Sequence, residues 1–319
     1  MKPTTNLEAS LAKLVARYGD RAADYIEGAA IRSELTYDDY IQVETLLSLQ
    51  HPLTGYHDEL TFLMYHQQTE LWFRLALHEL EHGVQALLAE PADIATAIES
   101  AKRTNRILKF LTESFDILID GLSTDAFMEF RKAFGSSSGF QSAQFRAIEI
   151  ISGLERHNKE SKDHTFYWER AARDITTGEP TLTLVKFKEK HLHWLNAMYE
   201  KRKPYSFRLA FEQVLRQRVA KPDLQSLYQT LFNGEAPLDL QTLANELVTL
   251  DSQIIAWKGS HLRAAAKHLA KSPKGTGETN WAEYLSRSLK EEHYFPELVT
   301  AMKEATVEEE LEMPTLGDA

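Results

Sequence analysis

Apolar residues recur at helical spacing along most of the chain, and the longest such stretch sets its plan. In HDELTFLMYHQQTELWF, residues 57–73, Leu60, Leu63, Met64, Leu71 and Trp72 form a broad apolar face at i, i+3, i+4 spacing. That face is expected to be the buried one. His66 lies inside the stretch, one turn after Phe62 and one turn before Glu70. The pattern continues to about Leu87, ahead of Pro91. A short helix is expected over Leu7–Tyr18 with Asn6 as its N-cap, and another over 35–50, capped by Thr36 and stopped by Pro52 and Gly55. Helical period runs through 94–122, carried by Ile98, Ile107, Leu108, Leu111, Phe115, Leu118 and Leu122. A short element over 125–134 leads into the turn GSSSG. Further helices are expected over 141–154, 181–199, 204–219, 224–231, Leu238–Leu269 and 281–289, with a last one opened by FPEL. Residues 155–174 are charged and weakly periodic and read as a surface excursion. The acidic tail, about 306–319, reads as frayed. No stretch alternates as a strand would, and no repeat of solenoid period is present. The expected fold is all-α, one helical domain over 1–319.

Composition narrows the function classes. The 319 residues are 43% hydrophobic and 26% charged, as in an ordinary globular protein with room for a large core. Only 14 glycines and 10 prolines interrupt them, which favours long helices. A net charge of −11 argues against a broad nucleic-acid-binding face. With no cysteine, thiolate ligands, cysteine nucleophiles and disulfides are excluded, which accords with a cytoplasmic setting. The opening MKPTTNLEASLAKL has no apolar core of the secretory kind, and no run is long enough to span a bilayer.

Four patterns carry candidate chemistry. His78-Glu79-Leu80-Glu81-His82 matches HExxH, which on a helix puts two histidines on one face for zinc. It lacks a recognisable third ligand, with only Glu90 or Glu99 to name, and a solvated charged face is the plainer reading. Tyr37 and Tyr40, three apart, read by spacing as a packed aromatic pair. FRKAFGSSSGFQS sets an arginine fork beside a glycine and serine turn, suited to a carboxylate or phosphate, though an ordinary loop explains it as well. In WKGSH, His261 is followed by small alanines and preceded by Gly259, which leaves room for a flat cofactor on one histidine. A lone histidine there is by itself unremarkable.

Taken in order, these pieces resemble the tryptophan 2,3-dioxygenase family over roughly 35–298. LTYDDYI and LLSLQHPL resemble its N-terminal segment. HDELTFLMYHQQTELWFRLALHEL resembles its distal helix, and FMEFRKAFGSSSGFQSAQFRAIE its substrate-carboxylate segment. WKGSH is similar to its proximal W-R-x-x-H segment, and KGTG to the start of its C-terminal loop. The resemblance implies haem b, one per subunit, held between helices with His261 as the iron ligand and with Ser138, Phe134 and Trp257 at the cofactor. It implies His66 as the distal catalytic histidine near the indole N–H, and Phe62 packed on the indole. Arg131 would pair with the substrate carboxylate, and Phe127 and Thr276 would stand at the amino-acid end. Tyr37 and Tyr40 would come from a neighbouring subunit of a homotetramer, through an exchanged N-terminal segment of about 1–50. It also accounts for HELEH without zinc.

Three positions depart from the family pattern. Phe127 stands where the family has a tyrosine, four residues before Arg131. The loop GTGETNW replaces GTGGSSG, so an acid and Trp281 take the place of glycines that permit unusual backbone angles. Lys258 replaces an arginine near His261. The function implied is insertion of dioxygen into the indole C2–C3 bond of L-tryptophan or a close analogue, giving an N-formylkynurenine-type product in tryptophan catabolism. Two other readings remain open on sequence: a haem monooxygenase of a modified tryptophan or indole, and a non-catalytic haem-binding or sensing protein.

Overall fold

Three long helices carry the structure, a computed structural model that describes residues 7–31, 36–154, 165–166, 168–169, 172–174, 176–202, 205–270, 272, 275, 280–291 and 293–312. The chain forms two compact units, 1–51 and 52–319. In the first lie α1 (Leu7–Tyr18), α2 (Ala22–Ile31), α3 (Tyr37–Ile41) and α4 (Val43–Leu47). The single helix expected over 35–50 is broken at Gln42, whose φ of 56° is left-handed. Thr36 caps α3 as expected: its hydroxyl accepts from Asp39 N, and the Asp39 carboxylate accepts in return from Thr36 N.

The second unit begins with α5 (His57–Leu88), followed by α6 (Ile94–Glu113), α7 (Asp116–Ile119), α8 (Thr124–Phe130) and α9 (Ala143–Ser152). Then come α10 (Leu182–Phe187), a π-helical turn (Lys188–Leu192), α11 (His193–Arg202), α12 (Phe207–Arg218) and α13 (Leu224–Phe232). The chain continues with α14 (Leu238–Leu269), α15 (Trp281–Glu291) and α16 (Pro296–Glu312). Among the described residues no strand forms, only one isolated bridge between Arg173 and Pro180. None of these helices is long and apolar enough to cross a membrane.

The core lies where α6 packs against both α5 and α14, around Leu80, Val84, Ala97, Leu108, Leu243 and Leu247. Gly83 marks the closest approach on α5. A Cβ there would come within 2.9 Å of the Phe207 ring on α12 and 3.1 Å of Ser100 on α6. Between α6 and α14, Asn105 Nδ2 donates to the backbone oxygen of Glu246 at 3.0 Å and to its carboxylate at 2.9 Å. No side chain caps α5 at Tyr56; the preceding loop instead folds onto Glu59, which accepts from Leu53 N at 2.6 Å and Thr54 N at 2.8 Å.

Several expectations change on this scaffold. On α5 the face marked by Leu60, Met64 and Leu71 points outward, each more than a third exposed, while Tyr65, Thr69, Phe73, Ala76 and Leu80 are buried. Apolar residues line most sides of this helix, so periodicity finds the helix but cannot choose its inner face. The span 94–122 is interrupted after Glu113, and α7 follows as a separate short helix with Leu118 inward. Residues 155–174 are not all surface: Phe166, Trp168 and Ala172 are fully buried, and the aromatic bulk of Phe166 and Trp168 outweighs the polar neighbours that mask it in sequence. The tail expected to fray from 306 is helical to Glu312.

Candidate functional site

Between α5 and α14 the second unit holds a cavity of about 1430 Å³, counting its open mouth. One wall is the α5 face bearing Phe62, Tyr65, His66, Thr69, Glu70 and Phe73, at the spacing of a single helical stripe. The facing wall is α14, with Trp257, Lys258, His261, Ala264, Ala265, His268 and Leu269. Phe127 from α8, the Ser138–Phe140 turn, Phe145 and Arg146 of α9, and Trp281, Tyr284, Leu285 and Ser288 of α15 close the sides.

His66 is neutral and its tautomer is set. Its Nδ1 lies 2.7 Å from Phe62 O, and a carbonyl only accepts, so Nδ1 carries the proton. Nε2 is left with a lone pair. Burial pushes the imidazole below its ordinary pKa despite the Phe62 hydrogen bond and the Glu70 charge, so it stays uncharged near neutrality. The Phe62 ring packs 4.1 Å from that imidazole and 5.2 Å from the Phe134 ring.

His261 is pushed down to about 4, first by burial, then by repulsion from His66 once acid protonates it, and by the Arg146 cation. Among the described residues neither of its ring nitrogens has a hydrogen-bond partner. Trp257 at 5.5 Å and Phe115 at 6.1 Å flank the ring. Ala264 and Ala265 keep the following turn low on the cavity wall. Gly259 does not contribute that room: it lies off the cavity, and a Cβ there would meet nothing within 4 Å.

Phe127 is buried, 5.7 Å from the Phe62 ring and 5.4 Å from the His268 ring. Ser123 sets its approach: the hydroxyl caps α8 by accepting from Ala126 N, while Ser123 N donates to Asp58 at the start of α5. Arg131 stands outside the cavity wall with its guanidinium 5.8 Å from the Phe127 ring centroid. Ser138 is on the wall and opens a single 3-10 turn, its N–H donating to Gln141 and its hydroxyl accepting from Phe140 N.

Of the residues expected at the site, the cavity therefore gathers Phe62, His66, Phe127, Ser138, Trp257 and His261. Phe134 and Arg131 sit directly behind them. Tyr37 and Tyr40 belong to the other unit, where both are about three-quarters exposed (73% and 74%). They do not form a buried aromatic pair within the chain. Thr276 lies outside the described residues.

Several cavity residues escaped the sequence reading. Tyr65, Thr69 and Glu70 continue the stripe begun by Phe62 and His66. His268 falls two turns after His261. Its Nε2 donates to Leu118 O at 2.9 Å and its Nδ1 accepts from Thr124 at 3.1 Å, which ties α14 to α7 and α8. The helical period of these positions was the available signal.

Behind the α14 wall, Lys258 enters a buried ionic cluster. Its ammonium lies 3.0 Å from Glu149 and donates to Tyr294 Oη at 2.7 Å. Arg146 donates to the other Glu149 oxygen at 2.9 Å and to Tyr284 Oη. Burial alone would raise the Glu149 carboxyl, but Lys258 and Arg146 outweigh it and hold it low.

The HExxH pattern does not form a metal centre. His78 and His82 are exposed, Glu79 faces Arg103 at 3.5 Å, and His82 pairs with Ser100. Among the described residues no group of three or more His, Cys, Asp or Glu is placed to hold a metal ion.

Comparison with known proteins yields one family. The profile of tryptophan 2,3-dioxygenase matches residues 23–230. A tryptophan 2,3-dioxygenase of Caulobacter vibrioides is 31% identical over 270 residues, covering 83% of this chain and 96% of its own length. One from Ruegeria pomeroyi is 32% identical, covering 85% of this chain and 94% of its own. One from Kineococcus radiotolerans is 30% identical, covering 85% and 91%.

Proposed function

The chain belongs to the tryptophan 2,3-dioxygenase family, and from that premise we propose that it is a haem-dependent enzyme that adds both atoms of dioxygen across the indole C2–C3 bond of L-tryptophan. The observation that supports this reading most strongly is the pair of facing histidines in one cavity, both neutral and each with an available nitrogen. A neutral imidazole is the form that ligates iron. His261 offers one without a competing hydrogen bond, above a turn of small alanines and between aromatic walls, and this donor set fits a flat apolar macrocycle. His261 would hold haem b. Trp257 and Ser138 would line it, with Phe134 behind the Phe62 wall. The haem supplies a redox iron for dioxygen chemistry.

This chain's residues would do the rest. The Nε2 lone pair of His66 accepts the indole N–H and fixes which ring edge faces the cofactor. Phe62 packs on the indole. Arg131, beside Phe127, pairs with the substrate carboxylate as a two-donor fork. Thr276 completes the amino-acid end. The aromatic walls exclude water, so orientation and desolvation are the protein's contribution. No observation favours either the monooxygenase or the sensing reading above this one.

We also propose a homotetramer, located in the cytoplasm, in which the N-terminal unit is exchanged and brings Tyr37 and Tyr40 to a neighbour's site. Two apolar surfaces support this: Tyr37, Tyr40, Ile41 and Leu47 in the first unit, and Leu60, Met64, Leu71 and Leu75 along α5, all exposed in a single chain.

The test is the visible absorption spectrum and turnover of the haem-reconstituted, reduced protein with L-tryptophan in air. The reading requires a ligated haem spectrum in wild type, its loss in His261→Ala, and formation of N-formylkynurenine. A stable haem complex in His261→Ala would overturn the ligand assignment.

A further inference from the structure

We propose that Lys258 acts on the haem through its buried positive charge, favouring the reduced iron over the oxidised one; this deepens the function proposed above and rests on His261 as the ligand. Lys258 and His261 are three residues apart on α14 and line the same cavity wall. Residues at that spacing share a helix face, with Cβ atoms about 5–6 Å apart. A charge is costly to bury without partners, and this one is fixed by its own. The ammonium lies 3.0 Å from the Glu149 carboxylate and donates to Tyr294 Oη at 2.7 Å, while that hydroxyl donates to Glu149 at 2.9 Å. Tyr294 is held in turn through its N–H, which donates to Asp251 at 2.7 Å. Only 4% of Lys258 is exposed, and none of Glu149 or Tyr294.

Burial leaves this charge weakly screened. The ammonium lies 5.9 Å from the Phe145 ring, Phe145 packs 4.5 Å from Trp257, and Trp257 lies 5.5 Å from the His261 ring. That route from the ammonium to His261 runs through aromatic rings, where a charge acts over a longer range than in water. Among the described residues, the cluster of Lys258, Arg146 and Glu149 carries two positive charges and one negative, since both cations hold the Glu149 carboxyl low. Without Lys258 the remaining pair sums to zero. Reduction adds one electron to the haem and lowers its charge by one, so a nearby cation favours the product of that step. Removing one unit charge within about 10 Å of an iron changes this equilibrium about tenfold or more. The proposed reaction begins from reduced haem, so the bias serves it.

The experiment measures the midpoint potential of the haem-loaded protein, with electrons supplied at an electrode and no substrate present. The proteins are wild type, Lys258→Met, Lys258→Arg and the double variant Lys258→Met/Glu149→Gln. Lys258→Met should move the midpoint to lower potential, by about tenfold or more in the reduction equilibrium. Lys258→Arg keeps the charge and should stay within about threefold of wild type. The double variant loses a cation and an anion together and should also return to within about threefold. A purely structural role predicts the reverse, with the double variant disturbed at least as much as the single one. The visible spectrum should keep its His261-ligated form throughout. Lys258→Gln, neutral and able to donate to Glu149, carries the same test should the methionine variant fail to hold haem. A wild-type midpoint in the methionine or glutamine variant overturns the charge assignment alone, as does a double variant shifted as far as the single one, or loss of the His261-ligated spectrum alongside the shift. If wild type holds no His261-ligated haem, the functional reading fails first and this assignment fails with it.

Discussion

Each histidine of the cavity has one task that follows from its surroundings, and each can be tested singly. His66 has only Nε2 to offer, as a hydrogen-bond acceptor. His66→Ala should lower kcat/KM for L-tryptophan by roughly 3- to 10-fold, the size of one neutral hydrogen bond, with the haem spectrum unchanged. A loss of several orders of magnitude would instead mark it as an essential base. His261 ordinarily titrates near 6.5 and is held at about 4 in the fold. As pH falls below 6.5 the unfolded chain takes up this proton first. The haem-free protein is therefore at full strength above 6.5 and loses stability as pH falls toward 4. His261→Gln should flatten that slope in denaturant titrations run across this pH range; an unchanged slope would contradict the buried neutral state. Phe127→Tyr should restore a hydroxyl at the carboxylate end and lower KM for L-tryptophan by about tenfold or more, since a hydrogen bond to a charged group is worth about 1.5–3 kcal/mol. The resemblance named the facing histidines. It did not show that the Trp281 ring is held in place, because the bond from its Nε1 to Ser272 O joins residues nine apart in sequence.

At the scale of elements, periodicity served best where tertiary packing asks for a continuous stripe. The helix Leu238–Leu269 has the limits expected of it. It fared worst where backbone geometry changes within an apolar run: nothing in the side chains of Gln42 or Ser114 announces a break. Nor does an apolar stripe say whether it meets the core, a cavity or solvent, as Leu60 and Met64 show. Two contacts between elements carry measurable energy. Gly83→Ala forces a Cβ to 2.9 Å from Phe207, and should cost about 1–3 kcal/mol of unfolding free energy, seen as a lower Tm. Lys258→Met leaves Glu149 with one cation fewer in a buried cluster, and should cost about 3–5 kcal/mol. A wild-type Tm for this variant would show that the cluster is not tied through Lys258.

Taken whole, the chain is an all-α scaffold whose second unit contains a complete pair of histidine walls and whose first unit buries, among its described residues, only Ala22. Its exposed aromatic and aliphatic residues are the reason to expect a larger assembly, and sedimentation of the haem-loaded protein should give four chains. Removing residues 1–51 should lower that number and raise KM. The account's central claim is nevertheless chemical. The most direct measurement is the product of L-tryptophan and isotopically labelled dioxygen with the reduced, haem-loaded protein, weighed by mass spectrometry. The account predicts an N-formylkynurenine carrying two labelled oxygen atoms. A product with a single labelled oxygen, or no product from a protein that holds haem and binds L-tryptophan, would contradict it.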